Sequence, residues 1–121
     1  MKNIAVLFFT ALFVFSGINV CAHMSEEAKI EYLIASVKKT PKGTKFVRNG
    51  KEYDSERASR HLKTKYTRAK KHAATAELFI ENISSKSSVT GIEYSVRFAD
   101  GETMTAREFF TEKLKEIEQP G

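Results

Sequence analysis

The sequence predicts one small α+β domain, ordered helix, β-hairpin, one long or two short helices, β-hairpin, helix. Apolar residues recur at helical spacing in several stretches of the 121-residue chain. Asn49-Gly50 and Asp100-Gly101 are turn dipeptides beside strand-like residues. No internal repeat or linker interrupts the chain after position 22. We therefore assign 1–22 to a signal peptide and 23–121 to a single α+β domain.

The first 22 residues have the parts of a secretory signal peptide. Lys2 supplies the positive start, an apolar run covers 4–15, and Ala22 is the small residue after which cleavage is expected. The apolar run is too short to span a bilayer comfortably, so no membrane span is expected after processing. The residues before Cys21 lack the pattern of a lipid-attachment site, which argues against a lipoprotein. Removal of Cys21 would leave neither a disulfide nor a thiolate nucleophile.

The first helix is predicted to begin after Ser25. A serine hydroxyl caps exposed amides, and the two acids that follow favour the positive end of the helix dipole. Pro41 and Gly43 end this helix. Its apolar stripe consists of Ile30, Leu33, Ile34 and Val37.

A hairpin follows, with strands at 46–48 and 51–53 around Asn49-Gly50, because this dipeptide tolerates the positive φ angles of a tight turn. Asp54 or Ser55 is expected to cap a second helix. Its apolar arc consists of Ala58, Leu62, Tyr66, Ala69 and Ala73.

Thr75 is a candidate cap for a third helix. Its apolar residues nearly continue the arc of the second helix, so one long bent helix and two shorter helices are both compatible with the pattern. These residues are Ala76, Phe79, Ile80 and Ile83.

The hydroxyl-rich stretch 84–90 is expected to be a loop, followed by a half-buried strand on which apolar and polar residues alternate. A short strand through Met104 should pair with this alternating strand. Thr105 and Glu108 have the spacing of a capping box that starts the last helix. The apolar residues of the alternating strand are Ile92, Tyr94, Val96 and Phe98, and those of the last helix are Phe110, Leu114 and Ile117.

Several short motifs occur in a recognisable order: Phe46-Val47-Arg48-Asn49-Gly50, His61-Leu62 with Lys65, Thr75-Ala76-Glu77 with Phe79-Ile80, Ser85 with Ser87-Ser88, and Gly91 with Tyr94. With these motifs the chain resembles the YfeK-like family of small bacterial envelope proteins over most of residues 26–98. The resemblance implies a Gram-negative periplasmic location. That family has no established biochemical activity, so the resemblance implies no catalytic residues.

The positive charge is concentrated between residues 38 and 72, where thirteen bases and three acids give a net charge of +10. One interpretation is a solvated face whose charge is partly offset by acids on the last helix. The other is a surface that concentrates anionic partners. No aromatic side chains alternate with these Lys and Arg residues, and the expected compartment holds no nucleic acid, so a nucleic-acid partner is not expected. The cations of the predicted second helix and its end are Arg57, Arg60, Lys63, Arg68, Lys70 and Lys71.

A narrower cationic stripe is expected at the edge of the apolar arc of the second helix, formed by His61, Lys65, Arg68 and His72. These groups can grip a phosphate or carboxylate if the loop hydroxyls lie nearby. In the alternative, His61 and Lys65 bond to helix ends or carbonyls, Arg48 only flanks its turn, and the serines cap local backbone. The candidate anion-binding residues are therefore Arg48, His61, Lys65, Arg68, Ser85, Ser87 and Ser88.

No motif indicates a cofactor, a metal or a catalytic set. His61 and His72 would lie about 16 Å apart along a helix, too far to share a zinc ion. The sequence has no glycine-rich phosphate loop, Cys-x-x-Cys or His-Glu-x-x-His. We expect a non-enzymatic binding or accessory protein for an anionic envelope component or an acidic protein. The alternatives are a small hydrolase or transferase using His61 with a loop serine, and an inhibitor or immunity-type protein.

Overall fold

A computed structural model describes residues 24–118, so the predicted signal peptide, its cleavage at Ala22 and Cys21 lie outside the described residues. The predicted α+β class and element order are confirmed. The helices are α1 (Glu26–Lys38), α2 (Ser55–Arg68), α3 (Ala76–Phe79) and α4 (Ala106–Glu118), and the strands are β1 (Lys45–Arg48), β2 (Lys51–Asp54), β3 (Ser95–Arg97) and β4 (Thr103–Thr105).

The four strands form one antiparallel sheet in the order β2-β1-β3-β4, so the two hairpins join through β1 and β3. Phe46 pairs with Tyr53 on one side and with Val96 on the other, which places all three side chains on one face of the sheet. The helices cover this face. Phe46 meets Phe109 of α4 edge to face, with ring centroids 5.8 Å apart.

Side-chain caps define the helix starts. Ser25, Asp54, Thr75 and Thr105 each accept a hydrogen bond from the backbone N–H three residues further on. Asp54, and not Ser55, is therefore the cap of α2. Glu108 also accepts from the backbone N–H of Thr105, which completes the predicted capping box.

Residues 55–84 form two helical segments rather than one long helix. Helix α2 ends at Arg68, a 3₁₀ turn follows at Lys70–His72, and Thr75 starts α3, which continues as a π-helical turn at Ile80–Ser84. The predicted stripe is wrong at its end, because exposed His72 lies on the 3₁₀ turn and not on the helix. Ala73 also lies beyond α2, although it is buried in the core.

The alternating pattern before Val96 overestimates the length of its strand. Strand β3 begins only at Ser95, and the preceding chain is held by two backbone hydrogen bonds, from Ser87 N to Ile92 O and from Tyr94 N to Ser85 O. Ile92 is 55% exposed, so its predicted place on the buried side is wrong. Alternation alone does not bury a residue when no neighbouring strand continues beside it.

Candidate anion-binding cavity

A cavity of about 60 Å³ lies between the helix-facing side of the sheet, α2 and the π-helical turn. Its interior consists of buried side chains that are apolar except for the hydroxyl of Ser84, whereas half-buried polar side chains surround its mouth. The interior residues are Val37, Phe46, Leu62, Ala106 and Phe110, and the polar residues at the mouth are Arg48, Tyr53, His61, Lys65 and Tyr94.

The sheet positions three of the polar residues. Arg48 lies two residues after Phe46, so it points to the same face, and Tyr53 faces Phe46 across the hairpin. Tyr94 stands two residues before Val96, on that face as well. Asn49 and Gly50 have φ angles of 51° and 78°, as the predicted turn requires, and this turn sets the pairing of β1 with β2.

Helix α2 contributes His61 and Lys65, one turn apart. The Nζ atom of Lys65 donates to the carbonyl oxygen of Lys86 at 2.9 Å and to the hydroxyl of Tyr94 at 3.3 Å. It also lies 5.1 Å from the centre of the Tyr94 ring. These contacts join α2 to the segment that follows the π-helical turn.

Within residues 24–118, the ammonium group of Lys65 has no acidic neighbour to offset its burial. Burial first, and the positive charge of Arg48 second, lower the pKa of Lys65 from 10.5 to about 8. At neutral pH this lysine is still mostly charged. The mouth of the cavity therefore carries two positive charges.

Arg48 and His61 are in direct contact. Nη1 of Arg48 lies 3.3 Å from Nδ1 of His61, and a neutral imidazole can accept this hydrogen bond. Burial first, and then Arg48, Arg57 and Arg60, lower the pKa of His61, which favours this neutral form. The His61 ring also packs edge to face on Tyr53 at 4.9 Å between centroids.

Ser84 lines the same cavity from the end of the π-helical turn. The residue is 1% exposed, and its hydroxyl has no hydrogen-bond partner among residues 24–118. Buried hydroxyls normally have a partner, and π-helical turns are frequent at functional sites. Ser84 therefore offers a hydrogen bond to a group that enters the cavity.

No acidic side chain lines the cavity among residues 24–118. Neither Arg48 nor Lys65 takes part in an ion pair within this part of the chain. A second depression, next to Phe98 and Phe109, differs because Lys39 and Lys113 stand there beside Glu112 and Glu116. Of these two cavities, only the first combines positive charge at its mouth with a mainly apolar interior.

The structure thus brings Arg48, His61 and Lys65 together, while the other candidate residues lie apart from the cavity. Ser85 is buried, but its hydroxyl donates to the carbonyl of Ile80. The Ser87 hydroxyl accepts the backbone N–H groups of Val89 and Thr90. Ser88 and Arg68 are exposed.

Within the described residues His61 makes no hydrogen bond to a serine of the predicted loop, although Ser84, the first of these serines, lines the same cavity. The hydroxyls of Ser85 and Ser87 bond to backbone groups, and Nδ1 of His61 faces Arg48 rather than an orienting carboxylate. Among residues 24–118, no group of three or more His, Cys, Asp or Glu residues is arranged to hold a metal ion.

Tyr53 was not singled out from the sequence, and Ser84 was included only as the first residue of the predicted hydroxyl-rich stretch 84–90. The Asn49-Gly50 turn could have identified Tyr53, because counting residues on both sides of this turn pairs Tyr53 with Phe46. Ser84 lies four residues after buried Ile80, so it extends the apolar face of α3 into the predicted loop.

The family model described as a family of unknown function, DUF5329, matches residues 24–118. The chain belongs to the DUF5329 family. It is also similar to the uncharacterized protein YfeK of Salmonella typhimurium strain LT2, with 40% identity over 76 residues. That alignment covers 63% of this chain and 61% of the YfeK sequence. The resemblance to the YfeK-like family is thereby confirmed.

No solved structure matches the chain. In the part of the chain that the structure describes, no helix combines the length and the apolar composition needed to cross a membrane.

Proposed function

We propose that the protein is exported to the periplasm and acts there, without catalysis, as a binding protein for an anionic component of the cell envelope. The proposed site is the cavity shared by Arg48 and Lys65, with the exposed cations of α2 around it. The observation that carries this proposal is a pair of cations at one cavity that no acidic residue lines within residues 24–118.

Charge that is withdrawn from water needs a partner. Removing an ammonium group from water costs free energy unless an opposite charge or hydrogen bonds replace the solvent. Among the residues that the structure describes, Lys65 has two hydrogen bonds but no ion pair, and Arg48 repels it. An anion at the mouth would stabilise both cations, whereas a cation or a neutral apolar ligand would not.

The exposed face of α2 extends this positive field. Arg57, Arg60 and Lys63 are exposed, and none belongs to an ion pair within residues 24–118. The acids near the end of α4 contact α1 instead, where Glu118 pairs with Lys29 and Glu116 accepts from Tyr32. Uncompensated cations raise the local concentration of anions and speed their association.

The small cavity favours one anionic end group over the broad surface of an acidic protein. A cavity of about 60 Å³ has room for only a few water molecules. A single carboxylate or phosphate group is the size of ligand that this mouth can surround.

Export is proposed from the pattern of residues 1–22 and is tested separately. The full chain is expressed with its leader in a Gram-negative host, the cells are fractionated, and the N-terminus of the product is sequenced. A periplasmic product that begins at His23 is expected. A cytosolic product with the leader still attached would contradict export.

Binding is tested by titrating the processed, ¹⁵N-labelled protein with sodium acetate and, separately, with sodium phosphate at pH 7 and low ionic strength. At least one anion should shift the amide signals of 46–49, 61–65 and 84–86, with an affinity that falls as salt is added. Lys65→Met should weaken this binding at least tenfold, since a charged hydrogen bond is lost. Exposed Lys115 provides the matched control, Lys115→Met. If neither anion shifts these signals, the proposed function is wrong.

A further inference from the structure

We infer that the cavity takes a terminal carboxylate whose adjoining carbon carries a small alkyl group, with the carboxylate at the mouth and the alkyl group inside. This inference rests on the proposed function, because it names the ligand class of the same cavity. Two sources share this chemistry, a free short-chain carboxylic acid and the C-terminal alanine of a peptide.

The lining of the cavity is divided in a way that matches such an end group. Val37, Phe46 and Phe110 are buried and offer no hydrogen-bonding side chain to the interior. Arg48 and Lys65 are half-buried and stand at the mouth. A ligand with charge at one end and an alkyl group at the other satisfies both parts, because apolar surface is buried while the charge stays near the cations.

The unused donors that line the cavity suit a carboxylate. Within residues 24–118, Lys65 uses two of its three N–H groups, on Lys86 and Tyr94, so one remains. Tyr94 accepts from Lys65, and in the same part of the chain its own O–H has no acceptor. The hydroxyl of Ser84 has no partner within residues 24–118. With the remaining N–H groups of Arg48, these donors can supply the roughly four acceptor sites of a carboxylate.

The apolar interior disfavours a phosphate group. A tetrahedral phosphate presents oxygens in every direction, so several would turn inward, where Ser84 offers the one buried hydroxyl among the lining residues of 24–118 and Val37 and Phe46 offer no donor. Stripping water from such oxygens without replacing their hydrogen bonds is costly. A carboxylate presents only two oxygens, on one side, and the planar fork of Arg48 matches their geometry.

The volume limits the alkyl group. A cavity of about 150 Å³ is known to hold benzene in another protein, whereas this one measures about 60 Å³. A methyl or ethyl group therefore fits the interior, and an aromatic ring does not. Propionate and a C-terminal alanine meet this limit.

The experiment compares binding constants from NMR titrations at pH 7 and constant ionic strength. The probes are propionate, benzoate, inorganic phosphate, N-acetylalanine and N-acetylalanine amide. Propionate or N-acetylalanine should bind at least tenfold more tightly than benzoate and phosphate, and the amide should not bind. Tighter binding of N-acetylalanine than of propionate identifies a peptide end as the better source, and the reverse order identifies a free acid.

Two variants locate the ligand within the cavity. Lys65→Met should weaken propionate binding about ten- to a hundredfold by removing a charged donor. Val37→Ile should weaken propionate more than acetate, because it fills part of the interior. The ¹⁵N spectrum of each variant checks that it is folded, and Lys115→Met is again the control.

The outcomes separate this inference from the proposed function. Binding of phosphate at these residues with no response to carboxylates overturns the inference and leaves the proposed function standing. Equal binding of propionate and benzoate overturns the assigned size of the ligand. Absence of a response to every anion overturns both.

Discussion

Replacing Lys65 by methionine should change stability in opposite directions at neutral and alkaline pH. Burial and Arg48 lower the pKa of Lys65 from 10.5 to about 8. Between these two values the unfolded chain holds a proton on this lysine that the folded chain has released. The free energy of unfolding of the wild type therefore rises with pH through this window, and below about pH 8 the folded state carries the full cost of the buried charge.

The size of this effect follows from the same two pKa values. At 1.36 kcal/mol per pH unit, the change from 10.5 to about 8 corresponds to about 3.4 kcal/mol. Solvent still reaches Lys65, so screening reduces this figure to about 1.5–2 kcal/mol. Methionine removes that cost but also loses the hydrogen bond to Lys86, worth about 1 kcal/mol. Lys65→Met should thus be about 0.5–1 kcal/mol more stable than wild type at pH 7 and less stable near pH 10.5.

Urea denaturation followed by circular dichroism measures this difference at pH 7, 8, 9 and 10. The other lysines are present in both proteins, so their contributions cancel when the two free energies of unfolding are subtracted. Lys115→Met makes the same substitution at an exposed position and serves as the control. A wild-type minus Lys65→Met difference that stays flat from pH 7 to 10 would refute the claim that Lys65 carries an uncompensated buried charge.

Two further predictions concern His61 and the start of α4. The lowered pKa of His61 means that the unfolded chain protonates first on acidification, so stability should fall as the pH drops below about 6.5. His61→Gln should remove that part of the pH dependence, as measured by urea denaturation at pH 5–7. His72→Gln is the control. A pH dependence of the free energy of unfolding that survives His61→Gln contradicts the assignment to His61. Thr105→Ala should lower the free energy of unfolding by about 1 kcal/mol, because the reciprocal cap with Glu108 is lost. Thr105→Ser, which keeps the hydroxyl, should retain most of this stability in the same assay, and equal losses in both variants would speak against the cap.

The features of the fold that depend on neighbouring residues were predictable from the sequence. Ser25, Thr75 and Thr105 cap helices because a hydroxyl can reach amides only three residues away, whatever the rest of the fold does. Asn49-Gly50 forms its turn for a similarly local reason, since both residues adopt positive φ. These signals were enough for the fold class and the order of the elements.

Features that depend on distant contacts were not predictable in the same way. Ile92 continues an alternating pattern, but its exposure depends on where neighbouring strands end. His72 fits the helical wheel of α2, but the chain leaves the helix at Arg68. A periodic pattern identifies a face without showing how far the element extends.

The same distinction applies to the cavity. His61 and Lys65 were selected as polar groups at the edge of an apolar arc, and Arg48 for its position before the Asn49-Gly50 turn, and all three lie at the mouth. The hydroxyls of Ser85 and Ser87 were selected for their composition, but backbone groups close in sequence take up both of them. Ser84, at the end of the π-helical turn, has a buried hydroxyl without a hydrogen-bond partner among residues 24–118.

Residues from three separate stretches of chain build the cavity, at 46–53, 58–65 and 84–94, and α1 and α4 close its interior through Val37 and Phe110. The basic block at 38–72 holds both cations of the mouth, but it lacks Ser84, Tyr94 and Phe110. A peptide excised from that block would attract any polyanion by its charge, without discriminating among anions by shape. Selectivity in this protein therefore belongs to the assembled tertiary structure, whereas attraction belongs to amino-acid composition.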